Sequence, residues 1–395
     1  MSEIKVNSIK GVAASTAAIT VNNTDGSCTA NITNNLSNRN RVINGSMIVN
    51  QRASSYTATG EEYTLDRFEH RTGSGFTFDT TTTQDSSAPD GFNKSLKITP
   101  DSTQTPTGSH NGMIAQKIEA DNLIGFASGT SSAKKFVLSF YAKSASQNNN
   151  HQYSVQLSKK ASSGTYYYQN RSFTVTSSWQ RFTIAFSADT SNNITTGIGE
   201  GARITWHLTA GATDIAGVVT SWTAGDVNAA VTGQSNFMDN TSNEFYLTGV
   251  QLEASDSDVA TDFEHKSFVQ ELALCQRYFY KTGDIGTGDE WYPGIQAHAD
   301  HGCFTVPGLP GQIDRAAPSL RFPVLMRVSG TATYYPGRND VTNTVSRVNE
   351  YTNNVNETYQ YAPAPACGGL EYYFQGISGG GSEAYVFQCT VDAEL

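Results

Sequence analysis

The chain has 395 residues, long enough for roughly two or three domains with separate cores. Only 16% of its residues are charged, against about 25% in ordinary globular chains, and a formal net charge of −10 without any Lys/Arg cluster excludes nucleic acid and anionic membrane surfaces as partners. No apolar run approaches the ~18 residues of a transmembrane helix and no charged-then-apolar leader opens at Met1, so a soluble chain made in a cytoplasm, without membrane insertion, is expected.

Residues 1–41 differ from the rest. Ile4 and Val6, Ile19 and Val21, then Cys28, Ala30 and Ile32 alternate in short pieces among Asn, Thr, Gly and Ser, and no aromatic residue precedes Tyr56. So little apolar surface cannot offset a backbone entropy of ~1–2 kcal/mol per residue. The segment is expected to order only against copies of itself or a larger body, as an attachment arm or stalk in a symmetric homotrimer; a disordered tail is the alternative.

Residues 42–266 show strand-like runs at intervals of roughly ten residues: SLKITP, AKKFVLSFYAKSA, HQYSVQLSKK, TYYYQNRSFTVT, WQRFTIAFSA and ARITWHLTA. Gly, Asn and Ser fill the loops, and nothing reads as a βαβ repeat. The pattern predicts an all-β chain whose main body is a two-sheet sandwich, with loops long enough to favour a jelly roll over an immunoglobulin-like fold. Met113 to Phe126 reads as a weak helical run crossing an edge. Phe245, Leu247, Val250 and Leu252 alternate except for a slip at Gly249, which predicts a glycine bulge in the last strand.

In residues 267–281 Ser267 stands three residues before Gln270, and Phe268, Leu272 and Cys275 recur at helical spacing. A short capped helix is predicted there, a hinge before a second β-sandwich over residues 282–395. The five cysteines are widely spaced and odd in number with no C-x-x-C pair, so no disulfide framework is expected.

Several of these stretches also carry a resemblance. GVQLE at 249–253, FEHKSFVQELALCQRYFYKT at 263–282, VINGSMIVNQR at 42–52, YTLDRFEH at 63–70, LRFPVLMR at 320–327 and VFQCTVDAEL at 386–395 are similar to recurring motifs of bacteriophage tail-fibre and receptor-binding proteins. That resemblance implies a carbohydrate-module-like jelly roll followed by a C-terminal β-domain. It further implies a virion location, with residues 1–41 joined to a tail adaptor or other virion proteins and the distal part facing a host-surface glycan or protein. It transfers no ligand or catalytic residue.

Candidate sites must therefore come from residue chemistry. Sugar rings stack their C–H faces on Tyr and Trp while amides bond their hydroxyls. Tyr166 to Tyr168 with Gln169 and Asn170 fit, Tyr167 and Asn170 foremost, as does a tip series of Tyr334, Tyr335, Tyr351, Tyr359 and Tyr361 on loops. His298 and Asp300, with His301 and Cys303, are the densest metal-capable group and could meet on a trimer axis, although Gly302 reads as a turn. Asp256, Asp258 and Asp262 raise a calcium question without EF-hand spacing. Gly376, Ser378 and Gly380 fit G-x-S-x-G but have strands on both sides where a nucleophile elbow needs a helix. Glu61, Glu62, Asp66, Glu69 and Glu200 could serve a glycosidase, yet none lies in a recognisable motif. The reading is a non-enzymatic attachment fibre without cofactors; a capsid or tail decoration protein and a polysaccharide-degrading tail enzyme are the alternatives.

Overall fold

The computed structural model describes residues 6–12, 17–24, 28–30, 37–52, 55–73, 75–225, 229–282, 304–307, 315–316, 319–336, 344–347, 357–358, 367–371, 374–375 and 384–395. Within them the chain is all-β apart from short helical pieces. Ser8–Ile9, Ile19–Val21 and Cys28–Ala30 form a small antiparallel meander.

The body is a sandwich of two antiparallel sheets. One has six strands in the order Gln180–Phe186, Lys135–Ser144, Phe245–Ser255, Ser95–Pro100, Thr80–Asp85 and Ser55–Ala58. The other has seven, in the order Thr223–Ala224, Tyr166–Thr174, Gln152–Lys160, Glu200–Ala210, Asn111–Glu119, Glu69–Gly73 and Glu62–Tyr63. The period-two alternation seen in the sequence is what fills the space between them. Phe136, Leu138, Phe140 and Ala142 point inward from one sheet and Ala202, Ile204, Trp206 and Leu208 from the other. Phe140 meets Trp206 edge to face across the gap, with centroids 5.7 Å apart.

The slip at Gly249 is a bulge: Ser139 pairs with Gln251 and Tyr141 with Thr248, so two residues of one strand oppose one of its neighbour. Gly249 has φ +60°, and a β-carbon there would stand 2.8 Å from both Phe92 and Tyr141. The close approach lets Phe92 reach Phe263, with centroids 5.0 Å apart, which pins residues 256–266 across the outer face of the six-stranded sheet. Glu264, in that strap, accepts the Asn38 and Asn40 N–H groups at 2.6 and 2.8 Å.

The helical run expected over Met113–Phe126 is corrected. Asn111–Glu119 is a strand paired on both sides, and only Ala120–Phe126 turns as a 3₁₀ helix. Met113 and Ala115 are buried on one face and Ile114 and Ile118 on the other, so the alternation that marks a half-exposed strand is erased.

The predicted helix spans Phe268–Gln276, and its capping box is formed: Gln270 N–H donates to Ser267 Oγ and Ser267 N–H to Gln270 Oε1. It is packed into the body. Glu271 is buried and accepts the Asn44 N–H at 2.6 Å, while Asn44 Nδ2 donates to the carbonyls of Val49 and Asp66. Asp66 is buried too, accepting Gln51 N–H and Nε2 at 2.6 Å each, and Gln51 reaches on to the Phe279 carbonyl. Burial raises the Asp66 and Glu271 carboxyls and the Cys275 thiol above their ordinary ranges.

Cations complete this junction. Arg67 lies 3.5 Å over the Tyr278 ring and pairs with Glu394, and Arg52 bridges Asp392 and Glu394 at 3.1 and 3.0 Å. Arg327 donates to the Ala393 and Glu394 carbonyls, and Arg277 pairs with Glu119 at 2.8 Å. Five of the six motifs that carry the family resemblance meet here, and GVQLE is tied in from Asn40 through Val250 and Leu252.

Beyond the helix, Phe279–Lys281, Phe304–Pro307, Thr331–Pro336 and Thr344–Arg347 all pair with Ala384–Asp392, the central strand of the C-terminal sheet. Cys275, Cys367 and Cys389 are free thiols.

Candidate functional site

Tyr351, Tyr359, Tyr361, His298, Asp300 and Ser378 lie outside the described residues. Tyr334 and Tyr335 stand on the Thr331–Pro336 strand, opposite Cys389 and Gln388, rather than on a loop. Asp256 and Asp258 pair with Lys134 and Lys135 at 2.7 and 2.8 Å, and no group of three metal-capable side chains occurs among the described residues.

Tyr166 to Asn170 form part of a strand, so period two divides them between its faces. Tyr167 and Gln169 face the sandwich interior; Tyr167 is half-buried with the Lys159 ammonium 6.0 Å from its ring. Tyr166, Tyr168 and Asn170 face outward. Asn170 is fully buried all the same, because residues 211–225 and 229–236 fold back over that half of the sheet. Its side chain accepts the Val219 N–H at 2.7 Å and donates to the carbonyls of Gly217 and Ala229, so it anchors the covering loop and does not meet a ligand. Ser154 and Gln156 do the same work, accepting the Val231 and Ala229 N–H groups.

The other half of the same face is polar and charged; Tyr168, Ser158, Arg203 and Glu69 are buried there, while Tyr166, Lys117, Arg71 and Glu200 are half-buried. Strand register sets Tyr168, Ser158, Arg203 and Lys117 in one row across four strands, with Tyr166 and Glu69 on the flanking rows and Arg71 one row beyond Glu69. Arg71 pairs with Glu69 at 3.2 Å and Glu61 at 3.3 Å, and Lys117 with Glu69 at 3.2 Å. Arg203 lies 3.8 Å from Glu200 and 5.8 Å from the centre of the Tyr166 ring, which Lys160 approaches from 5.4 Å. Glu69, Glu61 and Glu200 around Arg71 raise its already high pKa in spite of burial.

On the same face, in the row of Arg71 and Ser154, His207 is pushed down to about 3 by burial first and by Arg203 and Arg71 second, so its imidazole is neutral at physiological pH. Four polar atoms here, Arg71 Nε, Ser158 Oγ, Glu200 Oε1 and His207 Nδ1, have no hydrogen-bond partner. The Arg71 and Glu200 side chains remain 14% and 15% exposed. Of the five carboxylates singled out in the sequence, Glu61, Glu69 and Glu200 are gathered here, while Asp66 belongs to the junction.

Arg71, Arg203, Lys117 and Ser158 carry no sequence signal of their own. They stand up to 132 residues apart and are joined only by register; outward alternation in HQYSVQLSKK and ARITWHLTA was the cue available.

No protein-family model matches the chain, and no curated protein matches it. Among solved structures, it is similar to the enzymatically active domain of bacteriophage CBA120 tailspike protein 4 at 15% identity and a TM-score of 0.27, over 56% of this chain. That match spans only 23% of the tailspike domain. A family 11 carbohydrate-binding module of Lic26A-Cel5E from Clostridium thermocellum is 15% identical over 53% of this chain and 99% of the module, with a TM-score of 0.26. A putative sugar-binding protein from Bacteroides thetaiotaomicron is 10% identical over 55% of this chain and 100% of that one, with a TM-score of 0.28. Likenesses this distant carry no argument about what the chain binds.

Proposed function

We propose that the protein is a virion attachment fibre that binds a host-surface glycan non-covalently on the outer face of its seven-stranded sheet, where Tyr166, Arg71, Lys117 and Glu200 are half-buried. The observation that carries this reading is the row just described: an aromatic rim, two guanidinium groups and carboxylates, with unpaired donors and acceptors between them. Tyr166 supplies the ring for stacking, Arg71 the donors and Glu200 the acceptor.

Attachment to the virion would run through residues 1–41. Val6, Ile9 and Val12 are exposed there, and a trimer in which three such segments wrap together covers them. Three linked sites convert weak saccharide contacts into firm adhesion.

Titration of the purified chain with host surface polysaccharide, followed by calorimetry, tests the reading. Saturable binding without release of reducing ends supports an adhesive role. Release of reducing sugar would instead favour a degrading enzyme, and absence of any binding would favour a decoration protein.

A further inference from the structure

The outer face of the opposite, six-stranded sheet carries a second cluster of aromatic and cationic groups. Register sets Lys143, Tyr246 and Lys97 side by side on three neighbouring strands. Trp179, immediately before the Gln180–Phe186 strand, closes the row with its ring centroid 6.0 Å from that of Tyr246 at an angle of 71°. The Lys143 ammonium stands 4.4 Å from the centre of Tyr246 and 5.4 Å from that of Trp179, and the Lys97 ammonium stands 5.5 Å from Tyr246. Glu244 accepts from Lys97 at 2.6 Å and from the Tyr246 hydroxyl at 2.9 Å.

The charges do not balance. Lys97 is neutralised by Glu244, whereas Lys143 donates to the Ser87 hydroxyl at 2.8 Å and has no carboxylate within ion-pair distance among the described residues. A cation thus remains unmatched on the face of a protein whose formal charge is −10. Beside it, the indole of Trp179 is half-exposed, the largest aromatic surface a strand end can offer.

We propose that this row is a second saccharide site, independent of the seven-stranded face, and that it takes a pyranose bearing a carboxylate, a uronic or ulosonic acid unit. The C–H face of the sugar stacks on Trp179, the carboxylate pairs with Lys143, and Glu244 accepts a hydroxyl. Stacking gives orientation and the charge-assisted bond gives selection for the acid over its neutral counterpart. The pair is exposed and therefore sensitive to salt.

Calorimetric titration of the full chain with the methyl glycosides of galacturonate, glucuronate and N-acetylneuraminate, and with the methyl ester of each, tests this. At least one acid is expected to bind in the ~1–10 mM range and its ester about tenfold more weakly. Trp179→Ala abolishes that binding, and Lys143→Gln, which removes the charge while keeping a polar side chain and leaves the core untouched, weakens it about tenfold. Binding of none of the three acids, equal binding of acid and ester, or full binding by both variants would overturn the proposal. Loss in Tyr166→Ala with retention in Trp179→Ala would move acid recognition to the seven-stranded face.

Discussion

At φ +60°, Gly249 leaves room for two aromatic rings where a β-carbon would stand 2.8 Å from each. Gly249→Ala is expected to cost about 2 kcal/mol or more, from the left-handed backbone and the collision together, read as a lower urea midpoint at unchanged m-value. The slip in alternation made this residue legible in the sequence. Tyr166 to Asn170 were legible only as a group: period two sends Tyr167 inward and Tyr166 outward, and Asn170 was hidden by a loop that no local pattern announces. His207 is a buried neutral imidazole with a pKa of about 3. Because the unfolded chain binds its proton near pH 6.5 and the folded chain does not, this stability is full above that pH and is lost as pH falls toward about 3. His70 is lowered by burial as well and acts in the same direction. Urea unfolding at pH 7 and pH 5 should show a loss approaching about 1.4 kcal/mol per pH unit from His207, with His70 adding to it, and His207→Gln should reduce that slope.

Among the elements, the Phe268–Gln276 helix was readable because a capping box is local chemistry, and the strand at Asn111–Glu119 was not because burial on both faces removes the two-residue period. Ser267→Ala should destabilise by about 1 kcal/mol, measured by thermal unfolding. The junction behind the helix is more sensitive. Arg67 is buried against Tyr278 and holds Glu394, so Arg67→Ala strips a buried carboxylate of a cation and should cost about 3–5 kcal/mol, with Arg52 left to soften the loss. The motifs that resemble phage fibre proteins gather around this junction. That explains why they say much about architecture and little about a ligand: their residues bond mostly to one another, and of the groups on that face only Glu69 belongs to a motif, while Lys117 reaches the Leu395 carbonyl at 2.7 Å.

At the scale of the whole molecule, an all-β chain with a two-sheet body was written in the spacing of strands and turns, whereas the polar row on the seven-stranded sheet was not, since register between distant strands assembles it. Light scattering should give three times the 42.6 kDa chain mass, and a monomer at micromolar concentration would remove the avidity argument. The most direct measurement is adsorption of fluorescently labelled protein to whole host cells, comparing the wild type with Tyr166→Ala and Arg71→Gln. The account predicts that a single substitution, at a cost of ~2 kcal/mol per site multiplied over linked sites, reduces adsorption by tenfold or more while the melting temperature stays nearly unchanged. Full adsorption by both variants at wild-type stability would contradict it.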